Sequence, residues 1–305
     1  MQLPKQVAIK EVGPRDGLQN EKTHISTADK VQLVNLLGQT GLNYIEVTSF
    51  VHPKWIPQLA DAVEVLQAIK RHKDITYAAL VPNMRGLERA LQAEVDEVSI
   101  FMSASESHNQ SNINKTIEDT FPILEEVVVG AQAAKKHVRG YISTVIGCPY
   151  EGYIHPDKVL RVTEKLLEMG VTEISLGDTI GVGVPTQVEF LLEELLKRYP
   201  AEKFAMHFHD TRGTALANIM KSLEMGITNF DSALGGLGGC PYAKGASGNV
   251  ATEDLLYLFD EMGIETGVDR QKVLEAALFI EEKLGKAVAS KQMAIVRNER
   301  SANQG

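Results

Sequence analysis

The sequence is poor in cysteine, has a single tryptophan, carries no excess of positive charge and contains no long apolar run. Two cysteines in 305 residues, Cys148 and Cys240, cannot build a disulfide framework and suit a reducing compartment. The apolar runs are broken by charges or glycine and fall far below the ~20 residues that a membrane span needs. Lys+Arg 31 against Asp+Glu 40 leaves a formal net charge of −9, so no global basic field exists to attract nucleic acid or anionic lipid. An anionic ligand must therefore be met by a local cluster. Met1 to Lys10 does not read as a basic segment followed by a long apolar stretch and a small-residue cleavage site, so secretion is not expected. What remains is an acidic globular protein, expected in the cytoplasm, whose 44% hydrophobic content suffices for a sizeable core.

What is present alternates between two kinds of segment. Short β-branched runs occur at Val7–Val12, Tyr44–Phe50, Ile75–Val81, Glu97–Met102, Val138–Val145, Glu173–Leu176, Phe204–His209 and Asn229–Ala233. Between them lie helical stretches such as Ser26–Leu37, Ile56–Ile69, Pro156–Glu168 and Thr186–Lys197, with apolar residues at three- and four-residue spacing (Val31, Val34, Leu37; Val159, Val162, Leu166). Ser26 or Thr27, and Thr116 with Asp119 three positions on, read as helix starts. Gly41, Gly170, Gly226 and Gly263 sit where a left-handed cap would hand a helix over to the next strand. Eight strand-then-helix units, recurring about every 32 residues, match a closed (β/α)₈ barrel. The competitor is an open doubly wound sheet, but no G-x-G-x-x-G follows the first strand. The chain reads as one domain over residues 1–305, with an appended C-terminal helix over 269–296 and a frayed tail over 297–305.

A barrel carries its active site at the C-terminal ends of the strands, so the polar residues there can be enumerated. The seventh run ends His207-Phe208-His209-Asp210. Residues i and i+2 of a strand share a face, so two imidazoles converge if that face is the interior; a hydrogen-bonded core pair is the bland alternative. The first run opens into Gly13-Pro14-Arg15-Asp16-Gly17-Leu18-Gln19-Asn20. Here Asp16 offers a hard oxygen ligand and Arg15 a permanent cation for an anionic transition state, unless the pair is only a local salt bridge in a turn. Glu46 is a carboxylate in mid-strand, where it requires a partner such as Arg15. Asp178 ends the sixth strand, and Arg139, Tyr141 and Ser143 share one face of the fifth.

After the eighth strand, Gly235 to Asn249 contains six glycines in fifteen residues. Such a loop costs conformational entropy to order, so it reads either as a phosphate cradle or as a mobile lid that brings Cys240 to a reacting carbon. A lone thiol with a pKa of about 8.5 is a competent proton donor at neutral pH. Asn249 is a neutral oxygen ligand candidate, or else a helix N-cap. Cys148 reads as a small packed side chain. Together Asp16, His207, His209 and Asn249 offer two nitrogens and two oxygens, which favours Mg²⁺ or Mn²⁺ over a closed structural zinc site.

These motifs resemble the 3-hydroxy-3-methylglutaryl-CoA lyases, within a larger group of metal-dependent barrel lyases and synthases. The resemblance runs from Glu11-Val12-Gly13-Pro14-Arg15-Asp16-Gly17-Leu18-Gln19-Asn20 to Thr252-Glu253-Asp254-Leu255. Its most specific part is Gly-Leu-Gly-Gly-Cys-Pro-Tyr-Ala around Cys240; Gly147–Gly152 and Ser175–Gly181 also match, whereas Ala233-Leu234-Gly235-Gly236 departs mildly from the family pattern. The resemblance implies retro-Claisen cleavage of an acyl-CoA to acetoacetate and acetyl-CoA, and a place in leucine breakdown and ketone-body formation. It implies a divalent ion on Asp16, His207, His209 and Asn249, with Asp16, helped by His207, as the route for the hydroxyl proton. Arg15 would stabilise the oxyanion and Cys240 would protonate carbon. Glu46 would orient Arg15 or a water at the metal site, and Asp178 the substrate or metal shell. Gln19, Tyr141, Ser175 and Thr179 would line the acyl pocket, Lys22 is a candidate near the nucleotide, and a homodimer is expected. The rival readings are cleavage of another 3-hydroxyacyl-CoA, a condensing synthase of the isopropylmalate or homocitrate type, and a retired enzyme that binds metal or acyl-CoA without turnover. The synthases carry an extra C-terminal domain and lack the cysteine loop.

Overall fold

A computed structural model describes residues 3–239 and 248–302. Eight parallel strands close into a barrel in sequence order, with the last beside the first. They are β1 (Ala8–Glu11), β2 (Tyr44–Ser49), β3 (Thr76–Leu80), β4 (Glu97–Ser103), β5 (His137–Ser143), β6 (Glu173–Asp178), β7 (Phe204–Phe208) and β8 (Asn229–Ser232). Helices α1 (Thr27–Leu37), α2 (Ala62–Ala68) and α3 (Met84–Gln92) follow the first three strands. After β4 come α4 (Glu106–Ile113) and α5 (Ile117–Ala133), and after β5 comes α6 (Pro156–Glu168). The remaining helices are α7 (Pro185–Leu196), α8 (Ala215–Glu224), α9 (Thr252–Glu261), α10 (Arg270–Leu284) and α11 (Lys291–Ala302). None is long and apolar enough to cross a membrane.

Local chemistry explains the boundaries. Ser26 accepts the Asp29 N–H to start α1, and Thr116 accepts the Asp119 N–H to start α5. Gly41, Gly170 and Gly226 adopt positive φ between helix and strand, whereas Gly263, also at positive φ and expected to do the same, joins α9 to α10. The outward faces of the strands are mostly apolar and pack under the helices: Ile45, Val98, Ile100, Ile142, Ile174, Phe208 and Phe230 are all essentially sealed from solvent. Burial of this kind is worth ~25 cal/mol per Å² of apolar surface.

Four features differ from the sequence expectation. The stretch expected to be one helix over Ile56–Ile69 is a short turn, Pro57–Leu59, followed by α2. An additional helix, α4, precedes the one capped by Thr116. The run Val138–Val145 ends as strand at Ser143, after which Gly147–Cys148 and Gly152–Tyr153 form a small hairpin. The appended C-terminal helix is two helices, because Gly285 at φ +64 terminates α10. The Asp254 carboxylate then accepts the Lys291 and Gln292 N–H groups and starts α11. Arg297 pairs with Glu281 of α10, so helix continues to Ala302 through residues expected to fray.

Candidate active site

The chain leaves β1 in one wide helical turn, Gly13–Gly17, in which the N–H groups of residues 15, 16 and 17 all point at the Val12 carbonyl. A Cβ on Gly17 would sit 2.8 Å from Leu237 Cβ, so only glycine lets the turn approach the segment after β8. This turn aims Arg15 and Asp16 at the mouth of the barrel, where β7 delivers His207 and His209 from the same side of the strand. Both imidazoles line a cavity of about 300 Å³, and neither points out among the helices.

Asp16, His207 and His209 converge, each offering one ligand atom, with all three atoms within 4.8 Å of one another. His207 Nε2 lies 3.8 Å from Asp16 Oδ2, and His209 Nε2 lies 4.0 Å from the same oxygen. These gaps are too long for hydrogen bonds. They fall within the ~4.2 Å that spans two ligands across one Mg²⁺-sized ion. Asn249 sits against His209 through an isolated bridge. Its Nδ2 donates to Asp16 Oδ2 at 2.8 Å and to the Leu237 carbonyl at 3.0 Å, which leaves Oδ1 buried with no hydrogen-bond partner among the described residues. An orphaned carbonyl oxygen is costly, and here it stands beside a carboxylate and two imidazoles. The donor set therefore fits a hard divalent cation. Asn249 is not the N-cap of α9, a position that Ala251 fills. At Gly238, φ is +109, and a Cβ there would lie 2.7 Å from Asn249 Nδ2.

Glu46 and Arg15 meet. Arg15 Nε donates to Glu46 Oε2 at 2.5 Å, Arg15 Nη1 donates to Asp16 Oδ1 at 2.6 Å, and the Tyr141 hydroxyl donates to Glu46 Oε2 at 3.1 Å. Burial alone would push the Asp16 carboxyl up, but Arg15, the two histidines and the Asn249 amide outweigh it and hold it at about 2. Burial pushes His209 down to about 4, helped by its neighbour His207. Arg15 is held firmly protonated by Glu46 and Asp16 despite its burial.

The other residues singled out from sequence divide. Gln19 donates to Asp16 Oδ1 at 2.9 Å and lines the cavity, as do Tyr141 and Thr179. Ser175 does not line it; it lies deeper in the barrel and donates to Asp231 Oδ2 at 2.7 Å. The Asp178 carboxylate is taken by the Val182 and Gly183 N–H groups, which folds the loop after β6, so it holds backbone and is absent from the cavity wall. Cys240 lies outside the described residues. Cys148 is buried, its sulfur 3.0 Å from the Ser105 hydroxyl. Lys22 is exposed and does not line the cavity.

Sequence reasoning passed over the charged layer beneath the site. Asp231 on β8 receives both terminal nitrogens of Arg139, which also meets Glu173; Lys10 pairs with Glu173 in turn. A signal existed: Lys10, Glu173 and Asp231 are charged residues inside strands. His108, Asn112 and Trp55 also line the cavity, and no motif marked them.

The HMGL-like family model matches residues 6–280. The chain is 56% identical over 298 residues to the hydroxymethylglutaryl-CoA lyase of Bacillus subtilis, covering 98% of this chain and 100% of that protein. The crystal structure of the B. subtilis HMG-CoA lyase matches with a TM-score of 0.96 over 97% of this chain and 100% of that one. A structure of an HMG-CoA lyase from Acinetobacter baumannii, in complex with coenzyme A and 3-methylmalate, matches with a TM-score of 0.91 at 40% identity, covering 95% of each chain. The family match and the full-length identity lead to one conclusion: the chain belongs to the HMGL-like family.

Proposed function

We propose that the chain is a carbon–carbon lyase that cleaves (S)-3-hydroxy-3-methylglutaryl-CoA to acetoacetate and acetyl-CoA, using Mg²⁺ or Mn²⁺ held by Asp16, His207, His209 and Asn249. The observation that carries this reading is the convergence of Asp16, His207 and His209 at the cavity mouth, beside a guanidinium locked by two carboxylates. The names of the relatives supply the substrate class. A bound cation supplies a Lewis acid that lowers the pKa of a hydroxyl it contacts.

The chain's own residues account for the rest. Asp16, with His207 beside it, takes the proton from the tertiary hydroxyl on its carboxylate. As the C3 oxygen becomes a ketone, the C2–C3 bond breaks and its electron pair moves onto the thioester as an enolate. Arg15 has Nε and Nη1 engaged by Glu46 and Asp16, so its guanidinium is held rigid where it would meet the developing oxyanion. Glu46 acts by positioning Arg15. Gln19, Tyr141 and Thr179 face the acyl group, and we assign to Cys240 the proton that turns the enolate carbon into a methyl group. The reading includes a cytoplasmic homodimer, in keeping with the bacterial relative and the sparse cysteines.

The test is a coupled assay of a small panel of 3-hydroxyacyl-CoA thioesters. Acetoacetate release from the hydroxymethylglutaryl thioester, at a kcat/KM well above the other members, is expected. Faster cleavage of another member, or none at all, would refute the assignment.

A further inference from the structure

The two histidines of the cluster are held differently. His209 Nδ1 is buried with no hydrogen-bond partner among the described residues, whereas His207 Nδ1 lies 3.1 Å from Asp231 Oδ2. Asp231 stands beside His207 in the register of β8 with β7, and it is sealed inside the barrel. Its carboxylate is unusually committed. Arg139 Nη2 donates to Oδ1 at 2.6 Å, Arg139 Nη1 to Oδ2 at 3.1 Å, and the Ser175 hydroxyl to Oδ2 at 2.7 Å. A guanidinium bound to both oxygens keeps a carboxylate ionised, and an ionised carboxylate only accepts hydrogen bonds. The contact at Oδ2 therefore requires His207 to carry its proton on Nδ1. The Nε2 lone pair is then left facing Asp16 Oδ2 across 3.8 Å.

We propose that Asp231 is the positioning residue of His207: it fixes the Nδ1–H tautomer and the ring plane so that Nε2 stands ready as a ligand, while Arg139 and Ser175 hold Asp231 in place. This rests on the reading of Asp16, His207 and His209 as cation ligands. A carboxylate behind a metal-binding imidazole sets both its orientation and its basicity, and losing such a partner typically costs ~10–100-fold in metal affinity. Arg139 has a second partner, Glu173, 2.6 Å from Nε, which belongs to the same charged layer but does not touch either histidine. That residue separates positioning from general barrel packing.

Two measurements decide the matter. In the wild-type chain labelled with ¹⁵N in its imidazoles, at about pH 8 where an ordinary imidazole is neutral, long-range ¹H–¹⁵N correlation should show His207 protonated on Nδ1. The His207 signals are assigned by their loss in His207→Gln. Finding the proton on Nε2 overturns the proposal, and this readout needs no Asp231 variant to fold. The second measurement is binding of Mn²⁺ alone, followed by electron paramagnetic resonance. Asp231→Asn should weaken it ~10–100-fold, while Glu173→Gln should leave it within about twofold of wild type. Equal loss in both variants, or no loss in a cooperatively melting Asp231→Asn, overturns the proposal. A wild-type chain that binds no Mn²⁺ refutes the cation reading, and the tautomer spectrum still decides the role of Asp231.

Discussion

The two faces of the barrel strands obey different rules. Outward, Ile45, Val98, Ile100, Ile174 and Phe230 pack beneath the helices in an apolar shell. Inward, Lys10, Glu46, Arg139, Glu173 and Asp231 fill the barrel with charge, paired within 3.2 Å throughout. An apolar shell gives stability without direction, whereas a charged interior gives direction at a desolvation cost. The shell tolerates trimming; the interior tolerates none, because removing one partner strands another in a dry site. The cavity opens at the top of this charged layer, so the rigidity that fixes His207 and Arg15 comes from the costly face.

The largest effect expected from this contrast is Arg139→Met. It leaves Asp231 without its guanidinium and should lose about 3–5 kcal/mol in denaturant unfolding; a loss under about 1 kcal/mol would mean that the interior charges are not coupled.

A pH prediction comes next. Burial pushes His108, in the cavity wall, down to about 4, so it stays neutral in the folded chain. The unfolded chain protonates this residue near 6.5 and the folded chain does not, so stability should fall from about pH 6.5 towards pH 4, by roughly 1.4 kcal/mol per unit, and level off below. His108→Asn should flatten that acid limb in melting curves; an unchanged limb would assign it to other groups. On the apolar face, Ile174→Val should cost about 0.5–1.5 kcal/mol. If it costs as much as Arg139→Met, the contrast between the faces dissolves. The smallest effect should come from the exposed Arg161–Glu118 pair: Arg161→Ala should move unfolding by no more than about 0.5 kcal/mol.

Much of this was legible in the sequence, and the parts that were not share a cause. Alternation along a strand reveals which side a residue faces, so the shared face of His207 and His209 could be read from their spacing. The same parity places Asp178 on the opposite face from Ser175 and Gly177, a reading that its position at the strand end obscured. Parity says nothing about depth along the barrel axis. Ser175 faces inward as expected, yet lies below the cavity and serves Asp231. Asp231 itself lies in the strand run Asn229–Ala233, but its place beside His207 emerges only when β8 is set in register with β7. The break at Gly285 escaped because the apolar spacing of α10 and α11 reads as continuous. The pairing of Glu46 with Arg15 was legible for a simpler reason: a mid-strand carboxylate must find a cation.

Metal removal tests the central claim most directly. With the hydroxymethylglutaryl thioester as substrate, exhaustive chelation followed by gel filtration should abolish acetoacetate release, and added Mg²⁺ or Mn²⁺ should restore it. The same turnover before and after the cation is stripped would contradict the account.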